Sequence, residues 1–182
     1  MGEYFLPINE DKKEYFKASD TGGGLAKLEE WISSFDESGT IALLLMNEWK
    51  NNKVALVGDY DKSGLYDKAK DTYKHIGKIA KKVKKEKFND FIHSKEKYVL
   101  VNETDKTFVS GTPKQISIML VVLLRKSSES GGGDLYDAIE TEIAGLFAEK
   151  NVFVSKKSEF DSTGYEDITK DAIGPSMQFY KY

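Results

Sequence analysis

The sequence predicts an α+β fold of two related modules, each running strand, strand, helix, strand, helix around a small mixed or antiparallel sheet. Three observations carry that prediction. Pairs of short apolar runs flank polar turns, the pattern of a hairpin. Longer apolar segments follow them, each opened by Ser-Gly-Thr. Four elements then recur in the same order along the chain, which chance seldom supplies. The modules span residues 1–85 and 96–182, with 86–95 as a basic linker or helix end.

The elements follow in order. "YFLPINEDKKEYF" (4–16) matches "YVLVNETDKTFV" (98–109), with Asn9-Glu10 on Asn102-Glu103 and Lys13 on Lys106. Each reads as two short strands about a polar turn. "SGTIALLLM" (38–46) matches the opening and apolar run of "SGTPKQISIMLVVLL" (110–124). Thr40 and Thr112 stand just ahead of these runs, where a hydroxyl can cap a helix, and Pro113 suits a first helical position. The β-branched residues of 116–122 keep a buried strand open as the other reading. "WKNNKVALV" (49–57) and "FAEKNVFV" (147–154) each give an aromatic, a polar turn and a strand. Finally "DYDKSGLYDKAKD" (59–71) falls on "EFDSTGYEDITKD" (159–171), so that Asp61, Gly64, Asp67, Lys70 and Asp71 recur 100 residues later. A rival register sets "YKHIGK" (73–78) on "YEDITK" (165–170). Glycine triplets mark two insertions, "TGGGLAKLEEW" (21–31) and "SESGGGDLYDAIETE" (128–142), whose backbone freedom favours exposed loops.

The ordered set GGG–L–K–L–E–W, LLL, GGGD and VALVGDYD–SGLYD–A resembles a family of uncharacterised small single-module proteins of bacteria, some eukaryotes and viruses. In that family the GGGD loop precedes the Trp and the VGDYD strand within one module. Here Trp49 and Gly58-Asp59-Tyr60-Asp61 lie in the first half, and Gly131-Gly132-Gly133-Asp134 in the second. The resemblance implies an α+β fold in tandem duplication and implies no activity.

Composition narrows the function classes. Hydrophobic residues at 40% and charged ones at 31% give a soluble globular balance, not a disordered one. The absence of cysteine excludes disulfides, zinc-thiolate sites and cysteine nucleophiles, and fits a reducing compartment. A formal charge of −3 argues against a protein that coats nucleic acid with its whole surface. The longest apolar run, residues 116–124, falls well short of the roughly 20 residues a membrane span needs. The start of the chain lacks the pattern of a secretory signal. The chain therefore reads as soluble, intracellular and cytoplasmic, with no membrane span.

Two stretches hold candidate sites. Asp59, Asp61, Ser63 and Asp67 fall at positions 1, 3, 5 and 9 of a calcium loop, with Gly64 at 6. Position 12 is Lys70 where a bidentate Glu belongs, and a strand precedes where a helix should. A strand-to-helix turn, with Ser63 or Asp61 capping, accounts for the same residues and outweighs a calcium or magnesium site. Residues 74–97 hold nine lysines against Glu86, Asp90 and Glu96. Leu65, Ala69, Tyr73, Ile76, Ile79, Ala80 and Val83 fall at helical spacing, so the lysines read as a solvated helix face. Lys78, Lys81, Lys82, Lys84 and Lys85 are the phosphate-contact candidates, with only Phe88 and Phe91 nearby to stack on bases. For catalysis, His75 and His93 are the sole histidines, and no HExxH or GxSxG stands in the chain. The glycine triplets lack the spacing of a phosphate loop. The C-terminal "MQFYKY" (177–182) is apolar enough to dock as a last strand or on a partner.

The function expected is therefore non-enzymatic: an interaction or assembly component whose partner is another protein or a larger assembly. An RNA or anionic-surface role for residues 74–97 is the alternative. Weak calcium or magnesium binding at Asp59–Asp67 comes third, with no other cofactor implied.

Overall fold

A computed structural model describes residues 2–24, 27–33, 35–128 and 142–178. The "GGGD" loop and the last four residues of "MQFYKY" lie outside the described residues. Phe5–Asn9 (β1) and Glu14–Tyr15 (β2) form the first hairpin, closed by Asn9 Oδ1 accepting the Lys12 N–H at 3.0 Å. After them come a 3₁₀ turn at Ala18–Thr21, helices Leu28–Ser33 (α1) and Phe35–Met46 (α2), and strand Asn52–Gly58 (β3). Helix Leu65–Thr72 (α3), strand Lys74–His75 (β4) and helix Gly77–Ile92 (α4) complete the first half. The second half runs Tyr98–Asn102 (β5), Thr107–Gly111 (β6), Pro113–Leu124 (α5) and Arg125–Lys126 (β7). Lys150–Lys156 (β8), Glu166–Asp167 (β9) and Thr169–Gln178 (α6) follow. No described helix is long and apolar enough to cross a membrane.

The architecture is α+β with a mixed open sheet, as expected, but its strands form one sheet and not two small ones. Their order is β4-β2-β1-β3-β8-β5-β6-β9, with β7 parallel on β3. The physical reason lies at the centre. β3 is filled on one edge by β1 and would leave the other edge open; β8 pairs it antiparallel, with Lys53 opposite Asn151, and β7 takes the rest of that edge.

On both sides of the β3–β8 seam the same bonds occur. Asn102 Oδ1 accepts the Asp105 N–H at 3.0 Å, as Asn9 does for Lys12. Lys13 and Lys106 take φ of +54° and +55°, and Asn51 and Glu149 both take +60°. The Glu10 N–H donates to Lys53 O and the Glu103 N–H to Asn151 O. Lys74 N–H reaches Lys13 O at 2.8 Å and Glu166 N–H reaches Lys106 O at 2.9 Å.

These bonds sort the two registers read from sequence. Gly64 and Gly164 share a left-handed turn (φ +73° and +82°) 100 residues apart. From Tyr73 and Tyr165 onward the spacing is 92, because the eight residues of α3 stand between turn and strand in the first half. The match of Asp67, Lys70 and Asp71 to the second half is thus not structural: Asp67 lies on α3 and Asp167 on β9.

Side chains alternate across the strands. Phe5, Val54, Leu56, Leu100, Val152 and Val154 face a layer formed by α1, α2, α4, α5 and α6. The opposite face of the first half, with Leu6, Ile8, Ala55 and Val57, is covered by Leu65 and Ala69 of α3. In the second half, Val99, Val101 and Phe108 are instead covered by Phe153, Phe160 and Tyr165, whose rings meet edge-on. Large rings fill there the space a helix fills here.

Three local expectations change. The stripe from Leu65 to Val83 is not one helix: β4 interrupts it, so α3 and α4 lie on opposite faces of the sheet. Thr40 is no cap, because α2 starts at Phe35 and the Thr40 hydroxyl donates to Asp36 O inside the helix. Gly39 is needed there, since a Cβ would stand 2.7 Å from the Phe88 ring of α4. Thr112 does cap α5, accepting the Gln115 N–H, with Pro113 as first helical residue and the Gln115 side chain returning to the Thr112 N–H. Both apolar runs are helices; 86–92 are the closing turns of α4.

Candidate functional site

The 3₁₀ turn Ala18–Thr21 sits where β2, β4 and the start of α4 converge. Its Asp20 carboxylate accepts the Lys17 N–H at 2.6 Å, which closes the turn. The same carboxylate oxygen lies 2.7 Å from His75 Nε2. Gly77, first residue of α4, admits this carboxylate: a Cβ there would stand 2.5 Å from Asp20 Oδ1. A fixed negative group beside the first turn of α4 also complements the helix dipole. β4 aligns parallel to β2 with Tyr15 opposite His75, and the two rings lie 5.2 Å apart.

Three adjoining hollows surround this turn, and Ser19 lines all of them. The largest, about 640 Å³, is walled by Lys74, His75, Lys78 and Lys81. The second, about 360 Å³, runs along Lys81, Lys84 and Lys85 beside Thr21 and Gly22. The third, about 240 Å³, lies between Tyr4, Leu6, Lys17, Tyr66 and Lys70. Among the described residues, seven lysines line these hollows and Asp20 is the sole acid that does. Spacing explains the wall: 78, 81 and 85 recur at i, i+3 and i+7 and share one face of α4.

Of the five lysines singled out in the sequence, Lys78, Lys81 and Lys85 line the hollows as exposed side chains. Lys84 is committed to the fold, donating to Thr21 O and to Asp36 Oδ2 at 2.7 Å. Lys82 turns away from the turn and approaches Glu86 at 4.0 Å. Lys74 opens the basic stretch 74–97 without being among the five singled out, and sequence reasoning missed Lys17 and Lys70 as phosphate contacts; the three arrive from β4, the hairpin exit and α3. Only the pairing of β4 with β2 brings them together, and two-residue strands leave almost no periodic signal. Phe91 is buried against Tyr98 and Phe88 packs on the core, so neither ring offers a surface for bases.

The acidic loop forms a turn. Asp59 Oδ1 accepts the Tyr4 N–H at 2.9 Å, Asp61 Oδ2 accepts the Ser63 N–H at 3.2 Å, and Ser63 Oγ accepts the Leu65 N–H at 3.3 Å. Asp161 accepts the Thr163 N–H in the matching turn, which holds its carboxyl below the usual range. Asp67 lies a turn further on, in α3, and Lys70 Nζ rests 5.3 Å above the Tyr66 ring. Among the described residues no group of three or more His, Cys, Asp or Glu is placed to hold a metal ion. His93 bonds back to Asn89 O at 3.0 Å at the end of α4, away from the hollows.

No protein-family model matches this chain, and neither a curated protein nor a solved structure is significantly similar to it.

Proposed function

We propose that this chain is a non-enzymatic binding protein of two related modules that grips a phosphate-bearing polymer in the lysine-lined hollows around Ala18–Thr21. One observation carries the reading: among the described residues seven lysines against one acid line the hollows, in a chain whose formal charge is −3. The bonds repeated about β3 and β8 support the modular part. Among the described residues none of Lys17, Lys74, Lys78, Lys81 and Lys85 makes an ion pair, so their charge is available to a ligand. Lysines set around a concave wall raise the local potential and attract phosphates through counterion release. Asp20, held by His75 and the Lys17 N–H, shapes the turn and leaves the lysines facing outward.

The test is fluorescence anisotropy with a labelled RNA strand at low and moderate salt. The wild-type protein should bind at low salt, and Lys81→Glu combined with Lys85→Glu should weaken binding about tenfold or more. Equal binding by wild type and double variant would overturn the proposal, as would no binding at low salt.

A further inference from the structure

The third hollow differs from the other two in chemistry. It adds to Lys17 and Lys70 the rings of Tyr4 and Tyr66 and the side chain of Leu6. We infer that this hollow holds one unstacked base of a single-stranded nucleic acid, whose phosphates lie along Lys17, Lys70 and the lysines of α4. The inference rests on the phosphate-polymer reading and names its ligand class.

The pocket is built by parts of the fold that have separate reasons to stay in place. Tyr4 is anchored through its backbone, its N–H bonded to Asp59 Oδ1, so its side chain can change without loss of that bond. Tyr66 sits at the start of α3, packed on the cluster that holds Leu6 and Leu65. Burial, then Asp59 and Asp67, push its phenol up to about 12, so the ring stays neutral and a hydrogen-bond donor at any ordinary pH. Lys70 Nζ lies 5.3 Å over this ring. A cation held by a ring face is readily exchanged for a stacked base, and the freed ammonium moves to a phosphate. Ser19 lines all three hollows, so the base pocket adjoins the lysine wall across the 3₁₀ turn. A double helix keeps its bases stacked inside and has none to place between Tyr4 and Tyr66. A bare polyanion has none either.

The test compares two probes of equal length, about ten nucleotides, within the range such proteins cover. One is an oligouridylate and the other an abasic phosphodiester strand. Wild-type protein should bind the oligouridylate about tenfold tighter, the factor expected for one stacked base. Tyr66→Leu, and separately Tyr4→Leu, should remove that preference, read as the ratio of the two affinities, while both variants still bind the abasic strand, which also shows that they fold. Equal affinity of wild type for both probes would overturn this inference while sparing the phosphate-polymer reading. A preference that survives in both variants would overturn it too. Failure to bind either probe would overturn both.

Discussion

At the scale of single residues, Glu10 carries the clearest consequence. Burial, then the hydrogen bond and the charge of Glu149, push its carboxyl up to about 7 from the ordinary 4.5. Glu149 moves the other way: burial alone would raise it, but hydrogen bonds from Lys126 and Glu10 hold it low. The pair joins the first hairpin turn to the residue just ahead of β8, across the seam between the halves. Folded Glu10 binds its proton more tightly than the unfolded chain does. Its stabilising contribution is therefore complete below about pH 4.5 and is lost as pH rises through about 7. Glu10→Gln keeps a hydrogen bond and cannot ionise. The variant should unfold a few degrees higher than wild type at pH 8, about 1 kcal/mol after discounting for partial exposure, and at the same temperature at pH 4. Equal shifts in thermal unfolding at both pH values would rule this out. The sequence marks Glu10 only as the match of Glu103; nothing in it points to Glu149, which is far along the chain and reaches Glu10 only when β8 meets β3. Lys84 teaches the same lesson: in sequence it is one lysine among nine, and only the fold ties it to Asp36 and Thr21 O.

At the scale of elements, legibility followed the strength of local signals. The hairpins were readable because their turns use Asn9 and Asn102 side chains, a device fixed within four residues. The cap of α5 was readable for the same reason. Thr112→Ala should cost about 1 kcal/mol, read as a lower midpoint in urea with unchanged slope. An unchanged midpoint would show that Pro113 and burial alone set the start of α5. The matching Ser-Gly-Thr at 38–40 misled because the same triplet serves two purposes: cap in one place, close helix contact at Gly39 in the other. The helical stripe from Leu65 to Val83 misled because β4 is only two residues long. A break that short moves α4 to the other face without disturbing the apparent period. The eight residues of α3, which have no counterpart at the matching place in the second half, were half-visible as two competing registers that each hold on one side of them.

At the scale of the molecule, the sheet and the lysine wall depend on contacts between distant segments. The α+β class was legible; a single sheet was not, since the β3–β8 pairing joins strands about 100 residues apart and has no local signature. The site was legible in part. Lys78, Lys81 and Lys85 stood out by charge, but the turn they surround, the Asp20–His75 contact and the Tyr4–Tyr66 hollow emerged only once β2, β4 and α3 were placed. If exposed lysines around this turn contact phosphates, the salt dependence of binding counts those contacts directly. For a single strand the plot of log affinity against log salt falls by about 0.7 per contact, so engagement of about six lysines gives a slope near −4. Replacing Lys78 or Lys81 with Gln should make that slope shallower by about 0.7 each, while Lys82→Gln should leave it unchanged. A slope near zero, or one that responds to Lys82 as much as to Lys81, would show that these lysines do not grip phosphates.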